Sequence, residues 1–206
     1  MRLVDSATEQ ELLERLLEGS KPPLPVANTG RDYLLSTPFR YLSPWPSRFR
    51  QVGEPGIWYG AHGVETACAE VGYWRWRFLM ESDGLRKQTL FVEFTVFQAR
   101  VEGTGIDLTQ LPWLRASALW SHRTDYTACQ ALAKAARERD VHWIRYASVR
   151  DPKRGMAGAV LDPRVLSLPR ATVQQTWAAR VQRDVVAFSH GGDTIEFQAS
   201  DWEPVS

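Results

Sequence analysis

The sequence predicts an α+β fold, with helices and strands interleaved but without the even spacing of a doubly wound sheet. Two stretches, 64–80 and 124–139, carry the 3.6-residue apolar periodicity of helices, and 90–96 alternates as a strand does. Between them stand short apolar and aromatic runs bounded by turn residues, each long enough for one strand.

In chain order, Ser6-Ala-Thr-Glu9 has capping-box spacing, and Leu12, Leu13, Leu16 and Leu17 follow at helical intervals, so 6–18 is an expected amphipathic helix. Gly19 and the Lys21-Pro-Pro-Leu-Pro25 segment close it. Residues 33–42 read as a strand interrupted by Pro38, and 57–61 as a short buried strand. In the 64–80 helix, Val64, Ala67, Cys68, Val71, Arg75 and Phe78 are expected on one apolar stripe. Strands are expected at 141–146 and 156–161 around a polar loop, and the tail reads as a hairpin of 181–189 and 194–198 joined by His190-Gly-Gly-Asp193. The division expected is 1–30, a helix and Pro-rich connector packed on the body, then a main domain over 31–206 whose C-terminal strands occupy 170–200.

The 206 residues fit one domain, or one with a small appendage, which at this size buries roughly 70% of its unfolded surface and needs no disulfide or metal to fold. With 25 basic and 24 acidic residues the formal charge is +1, so no global field favours nucleic acid. Cys68 and Cys129 stand alone, no apolar run approaches the roughly 20 residues of a membrane helix, and no secretory leader is evident. A soluble, reduced, cytoplasmic protein is expected. Nine tryptophans suit a packed core, their commoner use, or a ligand cleft.

The chain has no G-x-G-x-x-G, P-loop, G-x-S-x-G or H-E-x-x-H motif, and His62, His122, His142 and His190 show no metal-ligand spacing. Two segments instead put polar groups where a plain core needs none. The first runs from Ser47 to Glu70: the basic loop Ser47-Arg-Phe-Arg50, the aromatic Trp58-Tyr59, then Glu65-Thr-Ala-Cys-Ala-Glu70. The second is Ile144-Arg-Tyr-Ala-Ser-Val-Arg-Asp-Pro152. Singly, each residue has a plain structural use. Arg48 and Arg50 could solvate a loop, Tyr59 could sit in the core, Glu70 could pair with Arg75 or Arg77, and Ser148 could cap a turn.

Jointly, these segments resemble the RES domain, the toxin half of RES–Xre toxin–antitoxin pairs. The resemblance rests on Arg48-Phe49, Tyr59-Gly60-Ala61, Glu65 to Glu70, Tyr146-Ala-Ser148-Val-Arg150, Gly158-Ala-Val-Leu-Asp-Pro163 and Arg40 near the first strand, over about 37–165. Ala147 stands where the family usually has Pro. Ser-Arg-Phe-Arg replaces a Gly-Gly-Arg-Trp-Asn loop, so Arg48 or Arg50 could hold the family's Arg position, with Arg48 favoured by the aromatic that follows it.

The resemblance implies an ADP-ribosyltransferase-like fold with a central split β-sheet flanked by helices. It also implies cleavage of the nicotinamide–ribose bond of NAD, which is substrate rather than prosthetic group, and an Xre-type helix-turn-helix antitoxin over the cleft. The acceptor stays open between water, phosphate and a protein side chain, the last making the chain an ADP-ribosyltransferase. A non-catalytic nucleotide- or protein-binding module is the reading from another class.

Arg48, Tyr59 and Glu70 are the expected catalytic residues, with Arg40, Arg50 and Ser148 in NAD binding. Glu70 would stabilise the oxocarbenium-like transition state, Arg48 would grip the pyrophosphate, and Tyr59 would stack on nicotinamide or ribose. Ser148 would bind the ribose or the nicotinamide amide, in preference to acting as a nucleophile for which no base is adjacent. Glu65 and Glu70 lie about 140° apart on the helix at 100° per residue, so only one of them faces a substrate, and Glu65 suits the solvated helix start.

Overall fold

The computed structural model describes residues 30–202 and, before them, Glu9, Glu11, Leu12, Arg15, Leu16 and Pro22. The helix expected over 6–18 lies outside the described residues, apart from five of these positions, which are helical and exposed.

The first surprise is local. The segment read as a strand is helix α1 (Tyr33–Arg40), started by Asp32, whose side chain accepts from the Leu34 amide. That cap and the burial of Leu35 and Phe39 on one side outweigh Pro38, which sits in the last turn, where few helical bonds remain to be lost. The Pro38 carbonyl lies against Gly56, where a Cβ would come within 1.7 Å of it, so this close approach requires glycine.

Strand β1 (Trp58–Ala61) leads into α2 (Val64–Glu81). Strand β2 (Leu90–Gln98) and the short β3 (Gly105–Asp107) follow, then the one-turn α3 (Ser117–Trp120) and α4 (Thr127–Arg137). Strands β4 (Trp143–Ala147) and β5 (Met156–Val160) form a hairpin around the 148–155 loop. The tail holds β6 (Thr172–Val181), β7 (Val185–His190) and β8 (Asp193–Gln198).

These strands make two four-stranded sheets, ordered β1-β5-β4-β3 and β2-β6-β7-β8. In the first, β3 pairs parallel with β4 and the other pairs are antiparallel; the second is antiparallel throughout. The mixed α+β class therefore holds. Strand β6 was hidden in the sequence because the Gln182–Asp184 turn contains no Gly or Pro, so 181 onward reads as one strand; the Gln182 amide closes that turn on the Val185 carbonyl at 2.9 Å.

Alternation along β4 and β5 covers both faces of the first sheet. Ile144, Tyr146, Ala157 and Ala159 turn toward Cys129, Ala133 and Ala136 of α4, while Val160 turns toward Leu35 and Phe39 of α1. The second sheet packs Trp177, Val181, Val186, Phe188 and Phe197 against Tyr73, Trp76 and Leu79 of α2. Strand β1 is only half-buried, since Tyr59 opens outward.

Helix α2 also corrects an expectation. Its buried residues are Thr66, Cys68, Ala69, Gly72, Tyr73, Trp76 and Leu79, whereas Val71, Trp74 and Phe78 are exposed. The buried face is offset from the expected stripe and shares only Cys68 with it, since small residues (Ala69, Gly72) and polar Thr66 are buried beside the aromatics. The sheet needs a close approach, and a Cβ on Gly72 would come within 3.2 Å of Phe188 and Trp202. Among the described residues no helix is long and apolar enough to cross a membrane.

Candidate active site

A cavity of about 370 Å³ opens between α2, β1, the 47–50 turn and the 120–126 loop. That lies within the roughly 300–1,000 Å³ of small-molecule sites. Arg48, Tyr59 and Glu70, from three separate stretches of chain, all line it.

The turn that delivers Arg48 is closed at both ends: the Ser47 amide donates to the Arg50 carbonyl at 2.9 Å, and the Arg50 amide returns a bond at 3.2 Å. Gln130 of α4 ties both carbonyls down through its Nε2. At the tip, Phe49 is fully buried against Tyr146, edge to face at 5.0 Å, which directs its neighbour Arg48 to the cavity. Arg48 is 8% exposed; its Nη1 donates to the carbonyls of Trp120 (2.9 Å) and His122 (3.0 Å).

Tyr59 presents its ring to the cavity while its hydroxyl is held in the same turn, 2.8 Å from Ser47 Oγ and accepting from the Phe49 amide at 3.1 Å. Desolvation raises its pKa above the ordinary phenol value, against the lowering effect of those bonds, so the group is neutral near pH 7. Tyr146, buried beneath the cavity, is pushed up further by desolvation and by the nearby Glu70 charge.

Glu70 faces the cavity from α2, in line with Ala67, Val71 and Trp74. Ser148 Oγ donates to its Oε1 at 2.6 Å. The 140° separation is realised: Glu65 faces away and pairs with Lys153 at the surface (2.7 Å).

Three expectations about binding residues change. Ser148 is fully buried behind Glu70 and does not line the cavity. Its oxygen accepts from the amides of Arg150 and Asp151, both at 3.1 Å, while its proton goes to Glu70. Those bonds fix the hydroxyl beneath the Glu70 carboxylate. Arg40 does not line the cavity; its Nε donates to the Pro22 carbonyl at 2.6 Å. Arg50 does not line it either, because on the far leg of the turn its Nη2 reaches back to the Trp45 carbonyl at 2.8 Å.

Sequence reasoning gave no site role to Arg150, Tyr146, Tyr126 or Trp74, which also line the cavity; the first two stood within the Tyr146–Arg150 motif. Arg150 stands two residues after Ser148, inside the turn that its own amide closes on the serine oxygen, so its place in the same motif was a usable signal. Tyr126 lies in a loop with no distinguishing pattern. Trp74, four residues after Glu70, shares its helix face.

The loop beneath Ser148 is organised by Asp151, which accepts from Thr66 Oγ1 (2.7 Å), the Lys153 amide (2.9 Å) and the Gly155 amide (3.1 Å). The site thus combines one oriented carboxylate, two guanidiniums and a wall of aromatic rings, and no described ion pair neutralises either arginine. It suits an anionic ligand with a flat ring and a centre that becomes positive during reaction.

Comparison with curated proteins finds no match. The RES domain family matches residues 24–182, from just before α1 to the end of β6, a span that includes every residue bordering the cavity. The chain belongs to the RES domain family.

Proposed function

We propose that this protein is a RES-type toxin that cleaves the nicotinamide–ribose bond of NAD, as a glycohydrolase or phosphorylase. It would deplete the NAD pool unless a cognate Xre-type antitoxin covers the cleft. One observation carries the reading: the Glu70 carboxylate, held by Ser148 at 2.6 Å, faces a cavity whose other charged walls are the guanidiniums of Arg48 and Arg150.

The chemistry asks for that arrangement. Nicotinamide is bound to ribose as a pyridinium, so when the C1′–N bond breaks its electron pair returns to nitrogen and the base leaves neutral. No general acid is required. The positive charge left on the ribose is what Glu70 stabilises, and water or phosphate oxygen then bonds to C1′. Arg48 holds the diphosphate through the nitrogens that its carbonyl bonds leave over. The Tyr59 ring, with its hydroxyl fixed and unable to swing, provides a stacking face for the nicotinamide or ribose.

The test is incubation of the purified chain with NAD, with and without phosphate. Free nicotinamide together with ADP-ribose or its 1-phosphate is expected. Nicotinamide release with ADP-ribose attached to an added protein would move the assignment to an ADP-ribosyltransferase. Undiminished NAD would favour a binding module.

A further inference from the structure

We propose that Arg150 and Arg48 together form a two-guanidinium subsite for a diphosphate group, with the 120–126 loop as the frame that sets their separation. Both arginines are largely withdrawn from water, at 4% and 8% exposure, and both line the cavity.

Each attaches one nitrogen to the same loop. Arg48 Nη1 donates to the Trp120 and His122 carbonyls, and Arg150 Nη2 donates to the Arg123 carbonyl (2.6 Å) and to Tyr126 Oη (3.3 Å). Aromatic faces fix the planes: Arg48 lies over Tyr126 at 4.8 Å and Arg150 over Tyr73 at 3.7 Å. Besides these bonds Arg48 has a side-chain hydrogen bond with the Cys129 thiol, and among the described residues neither arginine is in an ion pair, so neither charge is neutralised there.

Buried charge is ordinarily paired, because desolvation is costly. Here two cations share a cavity with one carboxylate already engaged by Ser148, and an anion from solution offsets the imbalance. Two forks at fixed spacing suit an anion with oxygens on two phosphorus atoms better than one with a single centre. The proposal rests on the NAD reading only for where that diphosphate comes from.

His122 is a positioning residue for the frame. Its Nδ1 accepts from the amides of Thr124 (3.3 Å) and Asp125 (2.8 Å), closing the loop whose carbonyls hold Arg48 and Arg150. An Asn side chain offers an equivalent acceptor at short reach.

Calorimetric titration of the whole chain with inorganic pyrophosphate, inorganic phosphate and nicotinamide riboside tests this. Pyrophosphate is expected to bind at least tenfold more tightly than phosphate. Arg150→Lys, which keeps the charge but loses the fork, should weaken pyrophosphate at least tenfold and leave nicotinamide riboside unchanged. His122→Ala should weaken pyrophosphate several-fold and His122→Asn should restore it; this pair decides the matter if Arg150→Lys fails to fold.

No pyrophosphate binding, equal affinity for phosphate, an Arg150→Lys chain that binds as the parent does, or a His122→Ala chain that does so would each overturn the subsite. Pyrophosphate binding that depends on Arg150 while NAD stays intact would keep the subsite and remove the cleavage reading. NAD cleavage with a KM indifferent to Arg150→Lys would do the reverse.

Discussion

The two faces of α2 are built for different purposes. Toward the second sheet it presents Trp76 and Leu79 to a core of large apolar side chains, with Tyr73 at the boundary, its ring under the Arg150 guanidinium at 3.7 Å. Toward the first sheet it presents Ala67, Glu70 and Val71 to a cavity, and five of the six buried polar side chains of the described residues cluster there: Arg48, Thr66, Ser148, Arg150 and Asp151. Buried polar groups lower stability unless fully partnered. Their concentration on one side of a helix whose other side is largely apolar separates the part that holds the fold from the part that lines the cavity.

That separation can be broken experimentally. Phe188→Ala, at a ring 2% exposed in the apolar core, should cost about 3–5 kcal/mol in urea unfolding. Nicotinamide release per folded molecule should not change; an equal fall in rate would show that the two faces are coupled. Glu70→Gln keeps an oxygen that can accept from Ser148 and removes the charge. Its rate should drop about 10²–10³-fold, roughly 2.7–4 kcal/mol, with the melting temperature little altered.

Ser148→Ala sharpens the contrast, since it acts on both sides. It orphans two buried amides, costing about 1–3 kcal/mol of stability, and it frees Glu70, so kcat should fall while KM holds.

The smallest effect expected is that of Tyr146→Phe on alkaline stability. The Tyr146 pKa is raised in the folded state, which therefore keeps its proton longer than the unfolded chain does. The associated stability is present below the unfolded value of 10.0 and is lost as pH rises from there toward the folded pKa. In unfolding titrations above pH 10 the Phe variant should lose less stability than the parent.

How legible each region was in the sequence follows the same division. That Glu70 and Arg48 meet at one cavity could be anticipated because both stand in short, particular motifs, and the angle between Glu65 and Glu70 needs only helix geometry. The helix face toward the second sheet was misjudged, since Gly72 and Ala69 are buried by a sheet whose longest strand, β6, had no Gly or Pro to announce its end. Ser148 was recognised as important, but its role could not be read: whether a serine touches a ligand or the residue that does is a matter of a few ångströms across distant segments. Arg40 and Arg50 were attractive as charges near the motif, but carbonyls at Pro22 and Trp45 draw them away.

Nicotinamide release by the four members of a Ser148→Ala/Glu70→Gln cycle tests most directly whether Glu70 is the reacting carboxylate and Ser148 its support. The expected result is brisk release by the parent, a large loss in Glu70→Gln, and no further loss when Ser148→Ala is added to it. A parent no faster than Glu70→Gln, or a double variant showing the two losses multiplied, would contradict it.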